Sequence, residues 1–179
     1  APQPTEAQPA HAVTASPPPT AWYKSPAVAE RLEVERRQLE QKYHVEPAVT
    51  PRGQVVFRLQ PKSGYGKLVF YLSCGSGFPN RAPEAFISAG GKRYPLVSPG
   101  LNDWSVERQF VAVADELIEW TAWSLDQYVA AAEEALNRGD YREAADLLTV
   151  VLSINPRTPG AARLLARAQA PLRERELVG

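Results

Sequence analysis

The chain has 179 residues, 44% apolar and 22% charged, and its twenty Lys and Arg balance twenty Asp and Glu. Zero net charge leaves no electrostatic reason to expect nucleic acid or an anionic membrane as the main partner, and no apolar run approaches the roughly 20 residues that span a bilayer. One cysteine, Cys74, and two histidines, His11 and His44, exclude an internal disulfide and a Cys/His zinc cage.

Residues 1–24 are rich in Pro, Ala, Thr, Ser and Gln. They have too few apolar groups to offset the entropy of ordering and read as a linker. A second reading takes Pro17-Pro18-Pro19 as a preformed polyproline ligand. Trp22 and Tyr23 are placed to dock on the domain that follows. The lack of any methionine, even at position 1, suggests a piece cut from a longer chain or from a precursor.

Residues 25–123 read as one α+β domain. Ser25 and Pro26 suit a helix start. Val28, Leu32, Leu39 and Tyr43 share one face of an amphipathic helix expected to end before Pro47, its charges a solvated face. QVVFRLQ (54–60), GKLVFYLSC (66–74), EAFISA (84–89) and KRYPLV (92–97) are strand-like, with PKSGYG and Gly90-Gly91 as hairpin turns. This predicts a four-stranded antiparallel meander. Val106, Phe110, Val113, Leu117 and Trp120 then recur at helical spacing. Helix, strands and helix in this order place helices on one sheet face. Trp104, Trp120 and Trp123 read as core and junction packing rather than as a ligand cage.

Residues 124–179 read as helical. Two helical runs flank Gly139-Asp140-Tyr141, and a third, from Pro159, is expected to stop at Pro171.

Two resemblances follow from these residues. The third part resembles a tetratricopeptide repeat. Tyr128 stands at the first aromatic position, with Ala131 and Ala132 after it, and Gly139, Asp140 and Tyr141 stand at the turn. Ala144, Leu148 and Val151 match packing positions, Pro156 the closing proline, and Ala162, Leu165 and Ala166 the opening of a next unit. Ala131 and Ala135 depart from the larger residues usual there. One repeat plus one helix is too short for a solenoid, so it packs on the preceding domain or pairs with another chain.

The second part resembles the ubiquitin-conjugating superfamily, and within it the RWD domain. Phe78-Pro79-Asn80-Arg81-Ala82-Pro83 is similar to the Tyr-Pro-x-x-x-Pro turn of RWD domains, with Phe for Tyr. Trp104 stands where these folds often carry a Trp before the second major helix. Each proline restricts its own φ and its predecessor, so the stretch reads as architecture rather than as a reaction site.

The resemblance implies a cysteine after the meander, beyond a His-Pro-Asn element, in a catalytically active member. Here YPLVSPGLNDWSV (94–106) has neither cysteine nor histidine, and Tyr94-Pro95-Leu96 is at most a degenerate echo. Cys74 ends an apolar strand with no Lys, Arg or His within six residues, which suits a buried hydrophobe. The resemblance therefore implies a non-catalytic protein-interaction scaffold, with no cofactor, no metal and a peptide or helix as partner. Two alternatives stand beside it: a divergent conjugating enzyme using Cys74, and a structural subunit dimerising through the helical tail. High Ala, Arg and Pro usage hints at a bacterial source, and the unpaired cysteine favours the cytoplasm.

Overall fold

The computed structural model describes residues 19–65 and 67–178. Five strands and six helices are present among them. A 3₁₀ turn (Pro19–Lys24) leads into α1 (Pro26–Glu40), followed by β1 (Tyr43–Val49), β2 (Val55–Pro61), β3 (Phe70–Cys74), β4 (Glu84–Ala89) and β5 (Lys92–Leu96). Then come α2 (Pro99–Asn102), α3 (Phe110–Trp123), α4 (Leu125–Asn137), α5 (Tyr141–Ile154) and α6 (Ala161–Val178). The α+β class holds, but the meander has five antiparallel strands in sequential order, not four.

The extra strand is the segment expected to finish the first helix. Tyr43 does lie four residues beyond Leu39, but α1 stops at Glu40 and Tyr43 pairs with Pro61. Tyr-His-Val favours extended backbone. Pro47, expected to end a helix, is tolerated because β1 is an edge strand. Pro95 lies in β5, the other edge. A proline on each edge blunts pairing with another sheet.

Strand alternation sorts the sheet into two faces. Pro47, Phe57, Leu72, Ala85 and Leu96 form one row across all five strands. This inner face meets α1 and α3: the Phe110 ring stands edge-on to Phe57 at 5.8 Å and to Phe78 at 5.3 Å. The neighbouring row, Glu46, Arg58, Tyr71, Phe86 and Pro95, points outward. At the β4–β5 turn Gly90 and Gly91 both have positive φ, +58° and +82°, as a tight two-residue hairpin requires.

Trp22 donates its indole N–H to the Gly53 carbonyl at 2.7 Å, which pins the entry of the chain to the β1–β2 hairpin. Residues 1–18, including Pro17 and Pro18, lie outside the described residues.

Only the middle of the face drawn from Val106 to Trp120 is core. Phe110, Val113 and Leu117 are buried, but α3 begins at Phe110, Val106 lies in the preceding loop, and Trp120 is half exposed. Trp123 is 82% exposed, so it packs neither core nor junction. The helical run past Ala161 also does not stop at Pro171. It continues to Val178 with the proline inside it, flanked by Ala, Leu, Arg and Glu, whose helix preference outweighs one lost hydrogen bond.

The tail joins the same core as the sheet. Ser124 alone separates α3 from α4, and Leu136, Leu147, Leu148 and Ala168 belong to one buried cluster with Phe57 and Ile87. Helix α5 runs past two hairpin loops. Its Asp146 carboxylate accepts from Gly90 N at 2.9 Å, and its Ser153 hydroxyl accepts from Lys67 N at 3.2 Å.

Candidate functional site

The proline turn is held by groups that local sequence could not pair. Phe78 is buried, the Phe78–Pro79 peptide is cis, and Trp104 donates its indole N–H to the Pro79 carbonyl at 2.8 Å. The Arg31 guanidinium lies over the Phe78 ring, 5.5 Å from its centre, and donates to the carbonyls of Val106 and Arg108. Glu35, one turn along α1, accepts from Arg31 at 2.5 Å and from the Phe110 backbone N–H at 2.8 Å. That bond satisfies the first N–H of α3, whose own cap residue, Gln109, offers no side-chain bond. Phe78, Pro79 and Trp104 therefore meet in one aromatic wedge between sheet and helices. Pro83 stands apart from it, lining a groove on the outer face.

Glu35 corrects the reading of α1 as a helix with a wholly solvated charged face. It is 2% exposed and lies on the buried stripe between Leu32 and Leu39. Its i, i+3, i+7 spacing with those leucines was the available signal.

Cys74 is fully buried at the end of β3, and burial, followed by the Glu35 carboxylate, pushes its thiol well above the ordinary range while Arg31 pulls weakly the other way. The thiol stays protonated and has no route to solvent. His44 cannot activate it. It pairs with Gln60 whereas Cys74 pairs with Val55, about five residues or roughly 17 Å along the sheet, and the two side chains leave opposite faces. In the segment that the resemblance would make catalytic, Ser98 caps α2 by accepting from Leu101 N at 3.2 Å, and Tyr94 donates to Glu143. Among the described residues no group of three His, Cys, Asp or Glu could hold a metal ion, and no helix is long and apolar enough to cross a membrane.

The outer sheet face is the open feature of the domain. Tyr71 and Phe86 stack at 5.0 Å, and the Arg93 guanidinium covers Phe86 at 4.4 Å. Beside them lies a groove of about 450 Å³ bounded by Pro83, Phe86, Pro95, Val97 and Leu101. Val97 is 57% exposed. The groove combines apolar walls, an aromatic floor, the Arg93 guanidinium and the Glu84 carboxylate.

No family model, curated protein or solved structure matches this chain.

The tail residues singled out in the sequence fall into two groups. Gly139 takes φ +79° after α4, Asp140 caps α5 by accepting from Glu143 N at 3.1 Å, and Ala144, Leu148 and Val151 are fully buried. Tyr128 and Tyr141 are half-buried, and Pro156 is exposed beyond α5. In α6 the inward positions are Ala161, Leu164 and Ala168, so the expected register of Ala162, Leu165 and Ala166 is off by one: Ala162 and Ala166 face solvent.

Glu143 was not foreseen. It occupies the third position of a capping box, where a carboxylate usually turns back to the cap. Instead it is 1% exposed, accepts from Tyr94 and from Arg138 at 2.5 Å, and forms an ion pair with Lys92 at 3.2 Å. Burial alone would raise its carboxyl, but these three donors together hold it below the usual range. The cluster ties β5 to the start of α5. A Cβ on Gly90 would lie 2.6 Å from the Glu143 Cα, so the hairpin tip and the helix are in backbone contact.

Proposed function

We propose that the chain is a non-catalytic protein-interaction module, an inactive conjugating-fold domain of the RWD type followed by a tetratricopeptide-like tail, which takes its partner on the outer face of the sheet. The observation that carries this reading is the Tyr71–Phe86–Arg93 stack beside the Pro95–Val97–Leu101 groove. Aromatic rings and arginine are the side chains most enriched among residues that dominate binding energy, and apolar pockets between them receive the partner's anchors. The buried Cys74 supports the same reading, because a protonated, inaccessible thiol cannot carry a modifier as a thioester.

The test is affinity capture with the full chain and with Arg93→Glu and Val97→Asp variants, each checked for an unchanged melting midpoint. A partner retained by the parent chain and lost by both variants supports the module. Equal capture by all three would overturn the outer face as the site, and a thiol-reducible adduct lost in Cys74→Ser would overturn the non-catalytic reading.

A dimeric subunit is the second reading. Its specific support is Leu177, 88% exposed near the end of α6. Light scattering over a concentration series separates it from a monomeric adaptor.

A further inference from the structure

A second groove lies between β5 and the junction of α3 with α4. It encloses about 280 Å³ and is bounded by Tyr94, Pro95, Trp120, Gln127 and Tyr128, with Ala131 at its end. The Tyr94 and Tyr128 rings meet edge to face, 6.5 Å between centres, and the Tyr94 hydroxyl donates to Glu143. The aromatic wall is therefore fixed before anything binds. Trp120 is 46% exposed. No charged residue lines the groove.

The polar groups of this groove divide into engaged and free. The hydroxyls of Thr121 and Ser124 donate to carbonyls one turn back in α3, those of Leu117 and Trp120. The indoles of Trp22 and Trp104 donate to the carbonyls of Gly53 and Pro79. Among the described residues no such acceptor meets the Trp120 indole, the Gln127 amide or the Tyr128 hydroxyl, and burial alone acts on that hydroxyl. Each of the three brings a donor, and the indole can only donate. The complement of this groove is a neutral ligand rich in acceptors, poor in donors, and able to pack on aromatic rings.

We propose that the groove binds a proline-rich segment of a partner protein, docked as a polyproline helix. Each proline carries a carbonyl and no N–H. A polyproline helix makes no internal hydrogen bonds, so its carbonyls are free to accept, and its pyrrolidine rings pack on aromatic faces. Its conformation is set before binding, which lowers the entropic cost of docking. The other peptide conformations fit less well. The carbonyls of an α-helix already accept within the helix, and one turn, about 10 Å across and 5.4 Å long, fills about 420 Å³, more than the groove holds. A strand added to β5 would meet Pro95, which has no N–H to give. This site is separate from the outer-face stack, because Arg93 lines that groove and not this one.

The test titrates the isotope-labelled full chain with an end-blocked peptide of ten prolines, and separately with an end-blocked Gly-Ser repeat of equal length. Saturable shifts of the Trp120 indole signal and of the Gln127 and Tyr128 amide signals are expected with the first peptide and none with the second. Trp120→Ala should weaken binding about 30-fold. Tyr128→Phe, which removes only the hydroxyl, should weaken it about fivefold. Each variant is read well below its melting midpoint. Arg93→Glu should bind the proline peptide as the parent chain does, so failure of this site and failure of the outer face are read separately. No saturable shift, shifts centred on Tyr71 and Phe86 instead, or undiminished affinity in Trp120→Ala and Tyr128→Phe would overturn the proposal. Shifts of the same signals on raising the concentration of the chain alone would assign the groove to a second copy and overturn it as well.

Discussion

Replacing Glu35 by Ala removes one carboxylate that serves two elements at once. It deletes the acceptor for the first N–H of α3, at Phe110, a residue with no exposed surface. A lost helix cap costs about 1 kcal/mol, and the lost charged hydrogen bond brings the buried amide to about 2 kcal/mol. The substitution also strips Arg31 of its counter-ion. Stranding a charge from a fully buried pair costs about 3–5 kcal/mol, but Arg31 is 23% exposed and keeps two backbone acceptors, so about 1 kcal/mol is the appropriate share. The total of about 3 kcal/mol converts to a fall of about 6–12 °C in melting midpoint for a chain of this size. Glu35→Gln keeps an acceptor for Phe110 N and should lose about half as much. Glu33→Ala, which breaks exposed pairs with Arg36 and Arg37 on the same helix, should leave the midpoint unchanged. Circular dichroism melts of the three variants check this, and a Glu35→Ala midpoint no lower than that of Glu33→Ala would refute the reasoning.

Cys74 should react with a disulfide reagent at pH 8 only on unfolding, and prompt stoichiometric labelling of the folded chain would contradict its burial. Gly90→Ala should destabilise the chain and raise hydrogen exchange in the β4–β5 hairpin and the first turn of α5, because the new methyl meets the Glu143 backbone and φ is positive. Glu143 has a folded pKa below its unfolded value of about 4.3, so its contribution is complete above that pH and is lost as pH falls through the folded value. The stability gap between the parent chain and Glu143→Gln should be widest near neutrality and close in acid; a gap constant with pH would show that the charge plays no part.

Residues whose partners are near in sequence were legible, and those whose partners are far were not. The Gly90-Gly91 turn, the Gly139-Asp140 break and the alternation in β2 follow from backbone conformation and period-two patterning alone. Glu35 and Glu143 look like ordinary surface carboxylates, because Phe110 is 75 residues from one and Tyr94 is 49 from the other. Tyr43 fits the helical face of Leu39 and equally the inner face of β1; the pairing with Pro61 decides between them. Trp120 and Trp123 fall at helical spacings, but they stand on the exposed side of the last turns of α3, where Ile118 and Thr121 are the buried residues.

The outer face of the sheet is where we propose that a partner docks. Site-specific photocrosslinking in cells, with the reactive group placed at position 93 and, as a control, at position 36 on α1, decides whether it does. A discrete protein adduct is expected from position 93 and none from position 36. Adducts of equal yield and pattern from both positions would contradict it.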